Sequence, residues 1–349
     1  MSASAVRSNG RTTVFARRID DLLRKYIGAD AFRLEPDTVG IAGHGLMDAL
    51  LLSRLANDFE RPTFKPLRGR PIPRSESSLL MRTVALDVRA ALKKPTSGTE
   101  DLVGEWPHVG HIHLCKFIFG LDPYRLRILI NRRLQLSHAL TWLVAGAGAA
   151  LPGGPEPGTP MSHLARITAG TKTYDDRLHQ MVMYRRMAQA VCLTVSTLVT
   201  NAIWLGSPFP DDVPNKLILL ETLRLLPPSW NILRVASPEF CALDDRIGPK
   251  DDILLLPLLS QRDPALWTNP DKYRPERWLE LDPDNHPGYL PFGHANERCW
   301  GRHMVMPLAE RLLDMLRAGR MAVDPRQASA KVPLTGLLEV ARVRVRRMS

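Results

Sequence analysis

One cysteine lies in surroundings that could activate its sulfur. Cys299 belongs to the loop PFGHANERCWG (residues 291–301), and a helical pattern follows from about Trp300 to Arg317. Free backbone amides and the positive end of a helix lower the pKa of a thiol and stabilise its thiolate. A thiolate is a ligand for iron, and thiolate bound to haem iron favours O–O cleavage. Taken alone, the loop equally fits a small buried cysteine at a helix start.

Two motifs with charged residues precede this loop. ETLR places Glu221 and Arg224 three residues apart, on one face of a helix. RPERW follows, and its prolines predict a stiff, irregular segment that could hold Arg277 against that pair. A single pair of this kind is usually exposed and contributes little. The order and spacing of all three motifs nevertheless favour one shared site.

In this order, ETLR, RPERW and FGHANERCWG resemble the ExxR, PERF-like and FGxGxxxCxG motifs of the cytochrome P450 family. The likeness covers roughly the C-terminal half of the chain. It implies haem b (iron protoporphyrin IX) as the cofactor, with Cys299 as the proximal ligand of the iron. It also implies a buried structural triad behind the haem, formed by Glu221, Arg224 and Arg277. The haem-binding residues that it implies are Cys299, Phe292, Gly293, Gly301 and, at a propionate, Arg234.

The haem loop and the helix after it depart from the family pattern. Ala295 stands where the family usually has Gly, and Glu297 stands where a His or Arg usually meets a propionate. An acid would repel a propionate, so we expect unusual haem affinity or orientation. Pro307 lies inside the following helix, where an interior proline costs about 3 kcal/mol. That helix is therefore expected to bend, or to start only at Pro307.

The apolar patterns predict a mainly α protein with a minor β part. The resemblance implies a single haem-binding, cytochrome P450-like domain over residues 1–349, with residues 1–20 as a flexible terminus. AFRLEPDTVGIAG resembles the first sheet of the family. The mostly apolar stretch from Asp175 to Leu205, which has no internal Gly or Pro, resembles its long central helix.

Two segments of the family fold are expected to be truncated. The basic, proline-rich segment 61–78 is predicted to be a loop where the family has a haem-facing helix, and Arg68 or Arg70 could replace its propionate contact. The helix between the central helix and ExxR is expected to be lost as well.

The oxygen side of the haem is expected to be non-standard. Counting back from LGSP places Val191 and Cys192 where the family has an acid and a threonine that relay protons. Neither a valine nor a thiol with a pKa near 8.5 relays protons well at neutral pH. Thr194 does not simply replace the threonine, because two residues turn a helix by about 200°.

The central helix also suggests a substrate contact. Arg185, Gln189 and Cys192 lie at i, i+4 and i+7, which forms one stripe. A guanidinium in an apolar helix needs a partner. It either pairs with an acid from a neighbouring helix or binds an anionic group of the substrate.

Composition excludes several classes of protein. No apolar run reaches the roughly 18 residues that cross a bilayer, so no membrane span is expected. The net charge is +11, but no basic run is interleaved with aromatic residues, so nucleic-acid binding is not expected either. A solvated basic surface or the steering of an acidic partner explains the charge. Four separated cysteines without CxxC spacing favour a reducing cytoplasm.

A second group of possible metal ligands lies elsewhere. His108, His111, His113 and Cys115 fall within eight residues. Zinc needs convergent ligands, whereas His111 and His113 point to different sides of a helix or strand. We therefore expect these histidines to pack around a helix.

Three functions remain open. The first is a haem-thiolate oxidoreductase of bacterial biosynthesis that oxidises a small molecule and takes electrons from a separate ferredoxin or flavoprotein reductase. The second is a non-catalytic helper that binds and stabilises a partner enzyme such as a glycosyltransferase. The third is a redox-neutral or peroxide-driven haem enzyme. The retained Cys299 favours the first, and the missing relay and trimmed segments favour the second.

Overall fold

Helices are the main secondary structure in the part of the chain that the structure describes. The computed structural model describes residues 7–52, 74–95, 101–119, 174–234, 238–293 and 298–348. Within these ranges the α-helices are α1 (Arg17–Lys25), α2 (His44–Leu52), α3 (Arg74–Leu92), α4 (His108–Phe119), α5 (Tyr174–Gly206), α6 (Asn215–Leu225), α7 (Pro257–Ser260) and α8 (Arg302–Ala318). Short 3-10 helices cover Pro238–Ala242 and Pro275–Leu279.

The minor β part consists of three small sheets. Their strands are β1 (Arg7–Ser8), β2 (Arg11–Phe15), β3 (Ala31–Glu35), β4 (Thr38–Ile41), β5 (Gly104–Trp106), β6 (Ile232–Arg234), β7 (Asp252–Leu255), β8 (Met321–Val323), β9 (Ser329–Val332) and β10 (Val343–Arg347). The sheet orders are β1-β2-β9, β5-β10-β8 and β3-β4-β7-β6. The last sheet contains AFRLEPDTVGIAG, so the predicted sheet is confirmed.

α5 forms the centre of the core. It spans 33 residues, about 50 Å at 1.5 Å per residue. Helices α3, α4, α6 and α8 all pack against it. Its length and its mostly apolar part, Val182–Gly206, explain this position, because a helix that is apolar around most of its surface is stable only when buried. The predicted central helix from Asp175 to Leu205 is confirmed.

One expectation about membranes needs correction. The window Val182–Gly206 of α5 is long and apolar enough to cross a membrane by length and composition. In the structure, 78% of this window is buried inside the protein. Its apolar surface packs in the protein core.

The expected flexible terminus does not hold for residues 7–20. Strand β2 pairs in parallel with β9, in the register Thr12 with Ser329 through Phe15 with Val332. Arg11 donates hydrogen bonds to the carbonyl oxygens of Trp204 (2.8 Å) and Ser207 (2.6 Å) at the end of α5. These backbone and side-chain contacts fix the segment, and polar composition alone did not reveal them.

No helix lies between α5 and α6, as expected. Residues 207–214 make the whole connection. Arg317 of α8 stabilises it by donating to the carbonyl oxygens of Val213 (2.7 Å) and Pro210 (2.8 Å), and to the side chain of Asn215 (2.7 Å). One guanidinium thus replaces the contacts that a longer connection would make.

Two helix starts differ from the expectations. α3 begins at Arg74, so the loop predicted for 61–78 ends earlier, and Arg68 and Arg70 lie outside the described residues. α8 begins at Arg302 and continues through Pro307, so it does not start at that proline. The helix tolerates Pro307 because the missing N–H removes only one intrahelical hydrogen bond near its amino end.

Candidate functional site

Glu221 lies fully buried in α6 and accepts hydrogen bonds from two arginines. Arg224 donates from Nε to Oε2 (3.0 Å) and from Nη2 to Oε1 (2.8 Å). Arg277 donates from Nε to Oε1 at 3.2 Å. Trp278 Nε1 and the backbone N–H of Arg274 donate to the same carboxylate at 3.1 and 3.0 Å. The three residues of the predicted triad therefore meet at one carboxylate.

The two guanidinium groups also hold the irregular segment before Arg277. Both lie over the ring of Trp267, at 5.1 and 5.9 Å from its centre. Burial lowers the pKa of Arg277, and the charge of Glu221 opposes this shift. Together the guanidinium groups donate to the backbone carbonyls of Gln261, Thr268, Pro270 and Lys272. This dense pairing is what a buried ion network requires.

α6 fixes the residues directly before the cysteine loop (residues 291–301). Gln261 donates to the carbonyl oxygen of Arg224 at 3.1 Å and accepts from the N–H of Leu290 at 3.3 Å. Tyr289 donates its hydroxyl to the carbonyl oxygen of Leu220 at 2.9 Å. The triad and the loop are thus parts of one packed unit.

The cysteine loop closes on itself. Gly293 has a φ of 72°, a left-handed conformation that favours glycine. The N–H of Cys299 donates to the carbonyl oxygen of Phe292 at 2.7 Å. Phe292 packs against the main core. Residues 294–297, which include Ala295 and Glu297, lie outside the described residues.

Cys299 is exposed and lies three residues before α8. Gly301 caps the amino end of this helix. A Cβ atom at Gly301 would stand 3.6 Å from the sulfur of Cys299, an ordinary contact, so the space around the thiol does not demand glycine there. The thiol therefore lies near the positive end of a 17-residue helix.

The thiol opens into a cavity of about 280 Å³ between α3 and the start of α8. Four of its lining residues carry basic side chains, namely Arg82, Arg298, Arg302 and His303. The others are Ser78, Met81, Ala85, Cys299 and Trp300. One soft ligand, several cations and a few apolar side chains thus share one concave surface.

These residues fit a haem. A thiolate is a soft ligand that suits iron. Guanidinium groups complement carboxylates such as the two propionates. The side chains of Met81, Ala85 and Trp300 offer apolar contacts. In the fit, Cys299 would hold the iron, and Arg82, Arg298 and Arg302 would hold the propionates.

Arg234 lies apart from this cavity. It ends β6, at the edge of the sheet β3-β4-β7-β6, and it is half-buried. It does not line the cavity that contains Cys299. Its predicted contact with a propionate stays a prediction.

The structure shows how Val191 and Cys192, the residues predicted for the oxygen side, are packed. Cys192 is fully buried and shares a hydrogen bond with Cys115 of α4. Burial is the main reason that the pKa of the Cys192 thiol is raised well above its usual value, and the hydrogen bond with Cys115 adds to this rise. Val191 is also buried. Cys192 thus lies in the contact between α5 and α4, and not on an open face of the helix.

The open side of α5 carries a different set of residues. Ala190 is exposed, Leu193 is 38% exposed and Thr194 is half-buried. Thr194 lies about 200° around the helix from Cys192. The placement of Val191 and Cys192 on the oxygen side of a haem stays a prediction. On the open face Thr194 supplies a hydroxyl, and Leu193 beside it supplies no acid.

The predicted substrate stripe is described only in part. Gln189 is half-buried. The side chain of Arg185 lies outside the described residues. An anionic substrate held by Arg185 therefore stays a prediction.

The histidines of α4 do not form a metal site. Among the residues that the structure describes, no group of three or more His, Cys, Asp or Glu side chains could hold a metal ion. His113 stacks on Phe117 with the ring centres 6.0 Å apart. The expected packing of histidines around a helix is consistent with this contact.

The basic residues around the thiol were missed in the sequence. Arg298, Arg302 and His303 flank Cys299, so their spacing around the cysteine was a usable signal. Arg82 gave no such signal, because its place beside the thiol depends on how α3 packs against α8.

Comparisons with known proteins point to one family. A family model described as Cytochrome P450 matches residues 216–326, which contain α6, RPERW, Cys299 and α8. Cyclooctatin synthase from Streptomyces melanosporofaciens is 34% identical over 125 residues, which is 34% of this chain and 27% of that protein. A nicotine N-demethylase from Nicotiana tomentosiformis is 36% identical over 112 residues, 31% of this chain and 22% of that protein. The matched region thus spans about a quarter of each relative.

Solved structures extend the likeness to nearly the whole chain. A mutant of the cytochrome P450 EryK in complex with erythromycin B has a TM-score of 0.58 at 16% identity, over 95% of each chain. HmtT, involved in himastatin biosynthesis, has a TM-score of 0.51 at 18% identity, over 93% of this chain and 96% of its own. These likenesses describe the fold, which the predicted mainly α architecture matches.

Proposed function

Because this chain is a divergent member of the cytochrome P450 family, we propose that it is a haem-thiolate oxidoreductase that acts on a small molecule. One observation carries this proposal: the thiol of Cys299 is exposed on the wall of a cavity lined by three arginines. The ion network at Glu221 supports it by fixing the loop that carries the cysteine. A purely structural cysteine would be buried in the core, as Cys115 and Cys192 are.

In this function each group of residues has a distinct task. Cys299 would ligate the iron, and Arg82, Arg298 and Arg302 would neutralise the propionates, with Arg234 as a further candidate. Bound through a thiolate, haem supplies one-electron chemistry and the activation of dioxygen or peroxide. The triad of Glu221, Arg224 and Arg277 does not touch the cavity and serves to hold the fold.

The oxygen side supports a non-standard reaction. Thr194 gives the open face of α5 a hydroxyl, but Leu193 supplies no carboxylate beside it. A proton for dioxygen would therefore have to come from elsewhere than the helix. Peroxide-driven or redox-neutral chemistry needs no such supply, and it is the variant of the proposal that Leu193 favours.

The relatives suggest the setting of the reaction. Cyclooctatin synthase and the EryK complex with erythromycin B are both named for natural-product molecules. We propose a tailoring reaction on a small biosynthetic molecule in the cytoplasm. A separate ferredoxin or flavoprotein reductase would supply electrons where dioxygen is the oxidant.

A non-catalytic helper is the second candidate. The observation that favours it is the eight-residue connection 207–214, where a family helix is missing. Loss of such segments reduces the machinery around the haem while leaving a folded surface for a partner enzyme. The retained, exposed Cys299 favours the enzyme.

Turnover driven by two oxidants tests the function. Haem-loaded protein is incubated with a panel of small natural products, once with hydrogen peroxide and once with dioxygen, a surrogate ferredoxin and its reductase. We expect oxidised products, detected by mass spectrometry, with a stronger signal in the peroxide arm. Haem-loaded protein that forms no product in either arm would favour the helper.

A further inference from the structure

A carboxylate from the C-terminal part of the chain reaches the open face of α5. Thr197, which is 0% exposed, donates its hydroxyl to Oε2 of Glu339 at 2.8 Å. Glu339 is half-buried and lies between β9 and β10. The two residues are 142 positions apart in the sequence. An acid is thus present beside the helix, although the helix itself carries none there.

The segment around Glu339 is fixed to α5. The side-chain amide of Asn201 donates to the carbonyl oxygen of Leu338 at 2.9 Å and accepts from the N–H of Val340 at 3.0 Å. Asn201 is fully buried and lies one turn after Thr197. The backbone on both sides of Glu339 is therefore held, and the carboxylate is preorganised.

No cation of the described chain neutralises this carboxylate. Apart from the hydrogen bond from Thr197, Glu339 has no ion pair with any described residue. Arg342, three residues later, instead approaches Glu105 at 3.7 Å. This is notable in a chain with a net charge of +11. A half-buried carboxylate has lost part of its hydration, and a cation bound beside it offsets this loss.

The helix face that leads to Glu339 combines two apolar side chains with two threonines. Ala190, Leu193, Thr194 and Thr197 lie at i, i+3, i+4 and i+7, which is one face of the helix. Ala190 is exposed and Leu193 is 38% exposed. The face is open at its amino-terminal part and closes where Glu339 covers Thr197. An apolar body could lie along the open part, with its polar end at the carboxylate.

From this arrangement we propose that Glu339 and Thr197 recognise a positively charged nitrogen of the substrate, attached to an apolar body. The proposal rests on the proposed function, since it takes the open face of α5 as the substrate side. A carboxylate whose second oxygen has no partner in the described chain suits a protonated amine or a quaternary ammonium group. A divalent cation is disfavoured, because the described residues contain no group of three or more His, Cys, Asp or Glu side chains that could hold a metal ion.

The expected anion at Arg185 is compatible with this proposal. Position 185 lies twelve residues before Thr197, about 18 Å along the helix. Twelve residues also turn the helix by about 120°, so the two positions lie on different faces of α5. Each is testable without the other.

Calorimetry with a matched pair of probes tests the proposal. The probes are 3-phenylpropyltrimethylammonium and the neutral 3-phenylpropanol, titrated into the full-length protein purified with haem supplied. A quaternary ammonium group has no lone pair, so it cannot bind iron and reports only the protein surface. We expect wild-type protein to bind the ammonium probe about tenfold more tightly than the alcohol.

Three variants decide which residue is responsible. Glu339→Gln keeps an acceptor for Thr197, so it should fold, yet it should lose the tenfold preference while binding the alcohol unchanged. Glu339→Asp keeps the charge and should retain part of the preference. Glu280→Gln, which changes an exposed acid directly after the 3-10 helix Pro275–Leu279, should have no effect.

Several results would overturn the proposal. One is a wild-type protein without preference for the cation, and another is a Glu339→Gln variant that loses both probes equally. Either result would limit the role of Glu339 to holding the segment between β9 and β10 against α5. The heat of binding does not depend on iron, so failure of haem binding would count against the proposed function and leave the result for Glu339 standing.

Discussion

The carboxylate of Glu221 and the guanidinium of Arg224 form a two-point ion pair in which both side chains are 0% exposed. Such a pair is costly to create and more costly to break, because removal of one partner leaves a buried charge without compensation. The pair lies in the helix that fixes the start of the cysteine loop. We therefore expect that loss of the ion pair disturbs the haem site, because the cysteine loop would lose its support.

Replacing Glu221 tests this structural role. Glu221→Ala leaves Arg224 and Arg277 without their carboxylate, and we expect a loss of about 3–5 kcal/mol in the free energy of unfolding. Urea unfolding followed by circular dichroism measures this loss. Glu276→Ala, at an exposed acid in the same RPERW motif, is the control and should change little. A stable, fully haem-loaded Glu221→Ala variant would show that the network is dispensable.

The basic cavity predicts how tightly haem is held. Arg298→Gln and Arg302→Gln each remove a cation near Cys299, and we expect each to weaken haem binding roughly threefold to tenfold. The rate of haem transfer to apomyoglobin measures this effect. Arg344→Gln removes the same charge from an exposed position on β10 and should leave the rate unchanged. Unchanged rates in all three variants would place the propionates elsewhere.

The register of α5 predicts opposite results at two neighbouring positions. Thr194→Val should alter oxygen consumption and peroxide release, because it removes the hydroxyl of the open face. Cys192→Ala should leave both unchanged and cost about 1 kcal/mol of stability, since it removes a buried sulfur between α5 and α4. An oxygen electrode, a peroxide assay and thermal unfolding separate the two. An effect of Cys192→Ala on oxygen consumption, with none from Thr194→Val, would instead support the predicted oxygen-side position of Cys192.

Arg185 predicts a charge preference in the substrate. Substitution by alanine should weaken binding of a carboxylic acid far more than binding of its methyl ester, because only the acid offers a two-point partner to the guanidinium. Titrations followed by the haem spectral shift measure both affinities. Equal losses for acid and ester, or a merely destabilised protein, would give Arg185 a structural role.

The triad could be predicted because each of its members belongs to a short motif. Glu221 and Arg224 share one helix face, and the prolines around Arg277 forecast an irregular segment. The central helix was equally predictable, since its mostly apolar pattern is long and contains no internal Gly or Pro. Local spacing and periodicity carried this information.

Other parts of the site depend on contacts between distant segments. The side of α5 on which Cys192 is buried depends on its contact with Cys115 of α4. Counting residues along α5 cannot reveal that contact. Glu339 reaches Thr197 from 142 residues away. Arg82 joins Cys299 only because α3 packs against α8. No local sequence pattern indicates any of these three contacts.

The carbon monoxide difference spectrum of the reduced protein tests the central claim most directly, because its position reports haem and thiolate together. Wild-type protein purified with haem supplied should show the strongly red-shifted band of a thiolate-ligated iron. Cys299→Ser should lose that band while remaining soluble, and Cys241→Ser, at a half-buried cysteine outside the cavity, should keep it. A wild-type protein without a haem band, or a Cys299→Ser variant with an unchanged red-shifted band, would contradict the assignment of Cys299 as the iron ligand.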